Sequence, residues 1–308
     1  MDYLYYQAIN WDQVDDPFDK TIWEQLTTNF WLDIRIPINN DQASWQALDD
    51  SEQQNLNQLL ASASLSNLLQ SEWGTPALRH EIMTQQEESV LNTITFMKTI
   101  HAKSCTTIFR NLISNDEAES AFAFADHDEY LQAKADLLLS IYQNGNPLQK
   151  KTAFVLAESA ATFGEYLPVI NHSELSNLNQ VIKNILQGSA IFTKYVGYKF
   201  RTAINSLAPN QHAIYVEWQE HFIDQLYELE SKVLQSQLGD DVEPALLALQ
   251  DGINYALTQL GFDPRFDLAG HRVPMIDDLM QVDAIAASHK KAVNVVSEQS
   301  MDDSDYDF

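Results

Sequence analysis

The 308-residue sequence predicts an all-α fold, a bundle of long helices, and three observations carry that reading. Glycine and proline are scarce, at nine residues each, so few positions can punctuate turns. Apolar residues recur at helical spacing over windows far longer than a strand; Val90, Ile94, Met97, Ile100 and Ile108 make one such stripe. Helix-start signals, a Ser or Thr followed three residues later by Glu or Gln, stand at the heads of two of these windows.

The first 40 residues are mixed. They hold a short helix at 21–29 and then an extended piece through Phe30, Trp31, Ile34, Ile36 and Pro37. Ser51 with Gln54 reads as a capping box and opens a helix running to Trp73, stopped by Gly74 and Pro76. Thr84 with Glu87 repeats the signature and opens a helix over 85–112. A shorter pair is predicted at 116–125 and 127–143, closed by Asn144-Gly145. Pro147 suits a first helical turn, and the helix it opens runs to Tyr166, before Pro168. The last three helices are predicted over 177–206, 209–238 and 244–260, the final two stopped by Gly239 and Gly261. From Asp277 onward the periodicity is lost. Residues 1–276 therefore read as one helical domain with an N-terminal arm, and 277–308 as a flexible acidic tail. Eight to ten helices, several of them longer than 25 residues, imply a bundle with a buried interior.

Eighteen basic and 44 acidic residues give a formal charge of −26. Such a surface repels phosphate backbones, which argues against nucleic acid as a partner. No window offers about 18 consecutive apolar residues, so no membrane span is expected. Cys105 is the sole cysteine, and residues 1–12 lack a basic and apolar leader; a cytoplasmic protein is expected.

Chemistry concentrates on the 85–112 helix. Lys98, His101 and Cys105 fall at i, i+3 and i+7, on one face. That face also carries apolar residues and so points inward, where a lysine is costly unless it is paired.

Several segments then resemble, in order and spacing, the small subunits of class Ib ribonucleotide reductases. They are Ala8-Ile9-Asn10-Trp11, Thr28-Asn29-Phe30-Trp31-Leu32, Ile36-Pro37-Ile38-Asn39-Asn40-Asp41, Phe96-Met97 through His101-Ala102-Lys103-Ser104, Tyr195-Val196-Gly197-Tyr198-Lys199, and an acidic tail ending in Phe308. The likeness covers nearly the whole chain. It implies a ferritin-like helical bundle whose dimetal site takes carboxylates and two Glu-x-x-His pairs from four helices. It also implies a radical that travels from a tyrosine near the metals to a large subunit, where it starts ribonucleotide reduction.

Carried over by position, the resemblance places the six metal-ligand positions at Asn67, Lys98, His101, Glu158, Ser189 and Phe192. Only His101 and Glu158 keep a ligand type, and Glu165, seven residues on, is the fallback for Glu158. The lysine at 98 can neutralise Glu158 in place of a metal; metal-independent relatives also carry a lysine among the lost carboxylates, at another position. No metal cofactor is therefore expected, and a protein-derived radical would stand in its place. The radical-tyrosine position falls on Cys105, whose acidity His101, one turn away, could raise. Tyr166, Tyr195 and Tyr198 are further redox candidates. Trp31 matches the relay tryptophan, but the aspartate linking it to the histidine falls on Gly188. Asp305, Tyr306, Asp307 and Phe308 resemble the anchor that docks on the large subunit.

Two roles stay open on these residues: a metal-free radical subunit acting on the partner's ribonucleotide with a non-standard site built from Cys105, Lys98, His101, Glu158 and Trp31, or a non-catalytic partner subunit with a degenerate site. A ferritin-like oxidase is a third and weaker reading. In the first two, the partners would be a large catalytic subunit and a second copy of this chain.

Overall fold

The structure, a computed structural model, describes residues 8–80 and 83–268. Its elements are helices α1 (Pro17–Thr28), α2 (Gln42–Gln46), α3 (Asp50–Leu69), α4 (Thr75–Ala77), α5 (Gln85–Leu112), α6 (Asn115–His127), α7 (Glu129–Asn144), α8 (Pro147–Leu156), α9 (Thr162–Ile170), α10 (Ser176–Ile204), α11 (Pro209–Leu238) and α12 (Glu243–Leu260). There is no strand among the described residues. The protein is all-α with the ferritin-like architecture.

Local chemistry fixes the helix starts. Asp49 and Glu52 close a reciprocal capping box on α3, Ser114 and Glu117 on α6, and Asn146 and Gln149 on α8. Asp16 and Asp128 accept from backbone N–H groups at the heads of α1 and α7. Pro17, Pro147 and Pro209 occupy first turns, where the missing N–H costs nothing. Gly261 ends α12 with φ 87°, a left-handed cap that a side chain would strain.

Several boundaries differ from those expected. The first helix opens at Pro17 rather than at 21, capped by Asp16, and the expected extended piece 30–37 contains a 3-10 turn at Asp33–Arg35. The capping box of α3 is Asp49–Glu52 rather than Ser51–Gln54: Asp49 and Glu52 make the reciprocal pair of bonds, and Ser51 lies inside the first turn. The expected stop at Gly74 is a π-helical turn, Gln70–Gly74, that runs straight on into α4. The expected end before Pro168 is passed: a second π-helical turn, Ala157–Ala161, links α8 to α9, which ends at Ile170 with Pro168 inside it. Pro168 removes one backbone bond, to the carbonyl four residues back, from the ladder of α9.

α3, α5, the α8–α9 pair and α10 surround the interior. α3 packs on α5 and α9, and α8 and α9 pack on α10. α12 packs on α8, α9 and α10, α7 packs on α8, α11 lies against α7 and α12, and α1 lies along α5. The core is mostly aliphatic, with Leu59, Leu60, Ile94, Phe154, Val155, Ile185, Phe200 and Leu249 essentially without exposed surface. Within it sits a band of polar side chains, each facing another element, and that band holds the candidate site. The proposed tail, 277–308, with the anchor Asp305, Tyr306, Asp307 and Phe308, lies outside the described residues.

Candidate functional site

α3, α5, the π-helical turn after α8, and α10 each send one polar side chain to the bundle centre. Lys98 of α5 is the hub, with about 1% of its surface exposed. Its ammonium donates to Asn67 Oδ1 at 2.5 Å and to Glu158 Oε2 at 3.0 Å. It also lies 2.8 Å from Glu158 Oε1, a charge contact off the hydrogen-bond line of that oxygen. Ser189 Oγ donates to Glu158 Oε2 at 2.9 Å. Four of the six positions named from the sequence therefore meet in one hydrogen-bonded cluster. The π-helical turn that carries Glu158 adds a residue to its turn of helix and so re-aims the side chain; such bulges are frequent at functional sites.

The other two positions, His101 and Phe192, stack on each other with ring centroids 5.9 Å apart. Trp31 also stacks on His101, with ring centroids 5.9 Å apart. Neither ring nitrogen of His101 has a hydrogen-bond partner among the described residues. Full burial, and then the nearby Lys98 charge, hold its pKa well below the ordinary histidine value, so the ring is neutral. Gly188 leaves room beside this ring: a Cβ there would sit 3.0 Å from His101 Cε1 and 3.3 Å from Nε2, so the ring would have to give by a few tenths of an ångström. The Trp31 arm is tied down by Asp33, which accepts from Lys103 at 2.5 Å and from Thr107. Burial raises the Asp33 pKa, but those two donors outweigh it and the net shift is downward.

Cys105 does not match the reactive thiol expected from the sequence. Burial, reinforced by the charge of Glu165, pushes its pKa up to about 12 against the hydrogen bonds of Tyr166 and Ser64. The proximity of His101 does not activate it, because a neutral, desolvated imidazole supplies no positive charge. Of the three tyrosine candidates, only Tyr166 adjoins the cluster: Asn67 Nδ2 donates to its hydroxyl at 3.1 Å. Tyr195 donates to Asp19 at 2.8 Å and Tyr198 to Asp16 at 3.3 Å, both toward α1.

Glu165, the fallback for Glu158, faces away from Lys98. It pairs with a second buried lysine, Lys134 of α7, at 2.8 Å, and the same ammonium lies 2.8 Å from Glu230 of α11. Sequence reasoning missed this triad. The available signal was a charged residue on an apolar stripe: Lys134 between Leu131 and Leu138, and Glu230 between Leu226 and Val233.

Comparison with known proteins places this arrangement. The family model for ribonucleotide reductase, small chain, matches residues 8–270. The chain belongs to the ribonucleotide reductase small-chain family. It is 34% identical over 268 residues to the ribonucleoside-diphosphate reductase subunit beta nrdF1 of Mycobacterium tuberculosis, covering 84% of this chain and 82% of that one. It is 33% identical over 270 residues to ribonucleoside-diphosphate reductase 2 subunit beta of Escherichia coli, covering 84% and 83%. The crystal structure of Streptococcus sanguinis dimanganese(II)-NrdF superposes with a TM-score of 0.85 at 35% identity, over 90% of this chain and all of that one. The R2 subunit of Clostridium botulinum ribonucleotide reductase, 16% identical with a TM-score of 0.73, shares the fold. The relatives bear class Ib beta-subunit names, as the sequence motifs implied.

The expectation of no metal cofactor is corrected by this finding: the Streptococcus sanguinis relative is a dimanganese(II) protein, and the family points to a metal cofactor. The residues of this chain that could hold a metal are His101 and Glu158, whose ring nitrogens and Oε1 are buried without hydrogen-bond partners. The remaining positions do not complete a dimetal set. Asn67, Lys98, Ser189 and Phe192 stand where further carboxylates and imidazole are needed, and no group of three or more His, Cys, Asp or Glu suited to a metal occurs among the described residues. As arranged, these side chains do not fit a metal pair.

Proposed function

We propose that this chain works as the small subunit of a ribonucleotide reductase, supporting conversion of ribonucleotides to deoxyribonucleotides by a large catalytic subunit in the cytoplasm. The observation that supports the reading is the convergence of Asn67, Lys98, Glu158 and Ser189, with His101 beside them, positions that the resemblance gives as metal-ligand positions. A site relieved of all function would fill with apolar side chains, because burying charged groups costs several kcal/mol unless they are paired. Docking would use Asp305, Tyr306, Asp307 and Phe308. The chain would pair with a second copy of itself, for which the exposed Phe30–Phe96 stack, with centroids 6.0 Å apart, offers an apolar contact.

In the catalytic form of this reading the redox residue is non-standard. It sits in the group of Cys105, Tyr166, His101 and Trp31 rather than at a tyrosine on α5. One observation favours a second reading, a non-catalytic partner subunit: Cys105 is a neutral thiol with no base to ionise it. The test is ribonucleotide reduction with the cognate large subunit, run with manganese(II), with iron(II) and with neither. Turnover above that of the large subunit alone supports the catalytic reading. Absence of turnover in all three, with binding to the large subunit retained, supports the partner reading. Absence of both overturns the proposed role.

A further inference from the structure

We propose that Lys134, Glu165 and Glu230 form a buried proton-binding site, separate from the Lys98–Glu158 pair, in which two carboxyl groups hold one proton between them across a single ammonium. Three helices build it: α7 supplies the lysine, α9 and α11 one carboxyl each. Lys134 Nζ lies 2.8 Å from Glu165 Oε1 and 2.8 Å from Glu230 Oε2, and none of the three side chains is more than 2% exposed.

Charge balance requires the proton. Lys98 and Glu158 neutralise each other, but one ammonium facing two carboxylates leaves a single negative charge uncompensated in a dry interior. A buried charge without a partner is shed by binding a proton. Lys134 does not relieve the imbalance by losing its own proton: burial works against its charge, but the two carboxyls outweigh burial and hold its pKa above the ordinary value.

Geometry places the proton mainly on Glu230. Glu165 Oε1 accepts from Ser66 Oγ at 2.9 Å as well as from Lys134. Glu230 has Lys134 at 2.8 Å as its one close donor and no second donor of the kind Ser66 gives Glu165 among the described residues. Its charge is the less supported of the two. Burial favours its neutral form, opposed by Lys134 and reinforced by Glu165.

The site is joined to the bundle centre. Ser66 bonds Glu165 across α3 and α9, and the next residues on the same helices, Asn67 and Tyr166, also bond each other. Asn67 in turn accepts from Lys98. A cavity of about 10 Å³, room for a single water, lies among Ser66, Asn67, Lys98, Lys134 and Glu158. Gain or loss of the proton changes the field at Lys98 and Glu158 without admitting solvent, so the triad sets the field at the centre. This role rests on the charge count and holds whether or not the chain is catalytic.

Infrared spectroscopy of the full chain at neutral pH tests it. The wild type is expected to show the carbonyl stretch of a protonated carboxyl, shifted in D2O. That band should be lost in both Glu230→Gln and Glu165→Gln, because removing either carboxyl leaves the other matched to Lys134. Circular dichroism should show Glu230→Gln folded as the wild type, since an amide resembles the protonated acid. A wild type without the band, a band unchanged in either variant, or a Glu230→Gln that unfolds as readily as Lys134→Met would each overturn the proposal.

Discussion

Replacing Lys98 with methionine isolates the electrostatics of the bundle centre. Methionine keeps an unbranched chain of similar length and deletes the ammonium. Glu158 then keeps one donor, Ser189 at 2.9 Å, and Asn67 Oδ1 loses its 2.5 Å partner. Removing one partner of a buried ion pair costs about 3–5 kcal/mol, because the remaining charge is left uncompensated. At about 2 °C per kcal/mol for a chain of this size, the melting temperature should fall by about 6–10 °C. The double variant Lys98→Met, Glu158→Gln removes both charges and should recover most of that loss, since replacing a whole buried pair is often neutral or better. Differential scanning calorimetry of the wild type, both singles and the double closes the cycle. A Lys98→Met protein as stable as wild type, or a double variant as unstable as the sum of the singles, would refute the pairing argument.

Further outcomes follow from the same geometry. Cys105, the sole cysteine, should resist a thiol reagent at pH 8 in the folded protein and react fully in denaturant; rapid labelling of the native state would contradict the buried neutral thiol. Gly188→Ala should destabilise by about 1–3 kcal/mol, the ordinary cost of overpacking, and should alter the emission of Trp31 as the His101 ring is displaced; a silent variant would mean that Gly188 does not set the ring's pose. The folded-state pKa of Glu230 is raised, so its stabilising contribution is full below the ordinary carboxylate value of about 4.3 and is lost as pH rises through the raised value. Relative to Glu230→Gln, the wild type should therefore lose melting temperature as pH rises above that ordinary value, and parallel curves would contradict the assignment.

Much of the fold was legible because its signals are local. Gln85–Leu112 and Pro209–Leu238 match the expected bounds, since the Thr84 cap opens the first and Pro209 and Gly239 bracket the second. The departures come where a non-local contact overrides a local rule. Gly74 and Pro168 are breakers by composition, yet both are carried through by packing around the π-helical turns. At the site, the resemblance named the positions that meet, and Lys98 was expected to pair with Glu158, as it does. The chemistry of Cys105 was not legible, because spacing along α5 puts His101 one turn away without saying that both are fully desolvated. Nor was the Lys134 triad, which joins Lys134 to residues 31 and 96 positions further along the chain. A single charged residue on an apolar stripe does not name its partner on another helix.

The most direct test of the account is equilibrium binding of this chain to the ribonucleotide reductase large subunit, with the full chain and with residues 305–308 removed. The account predicts saturable binding by the full chain and loss of most affinity without those four residues. Failure of the full chain to bind would contradict its place in the reductase.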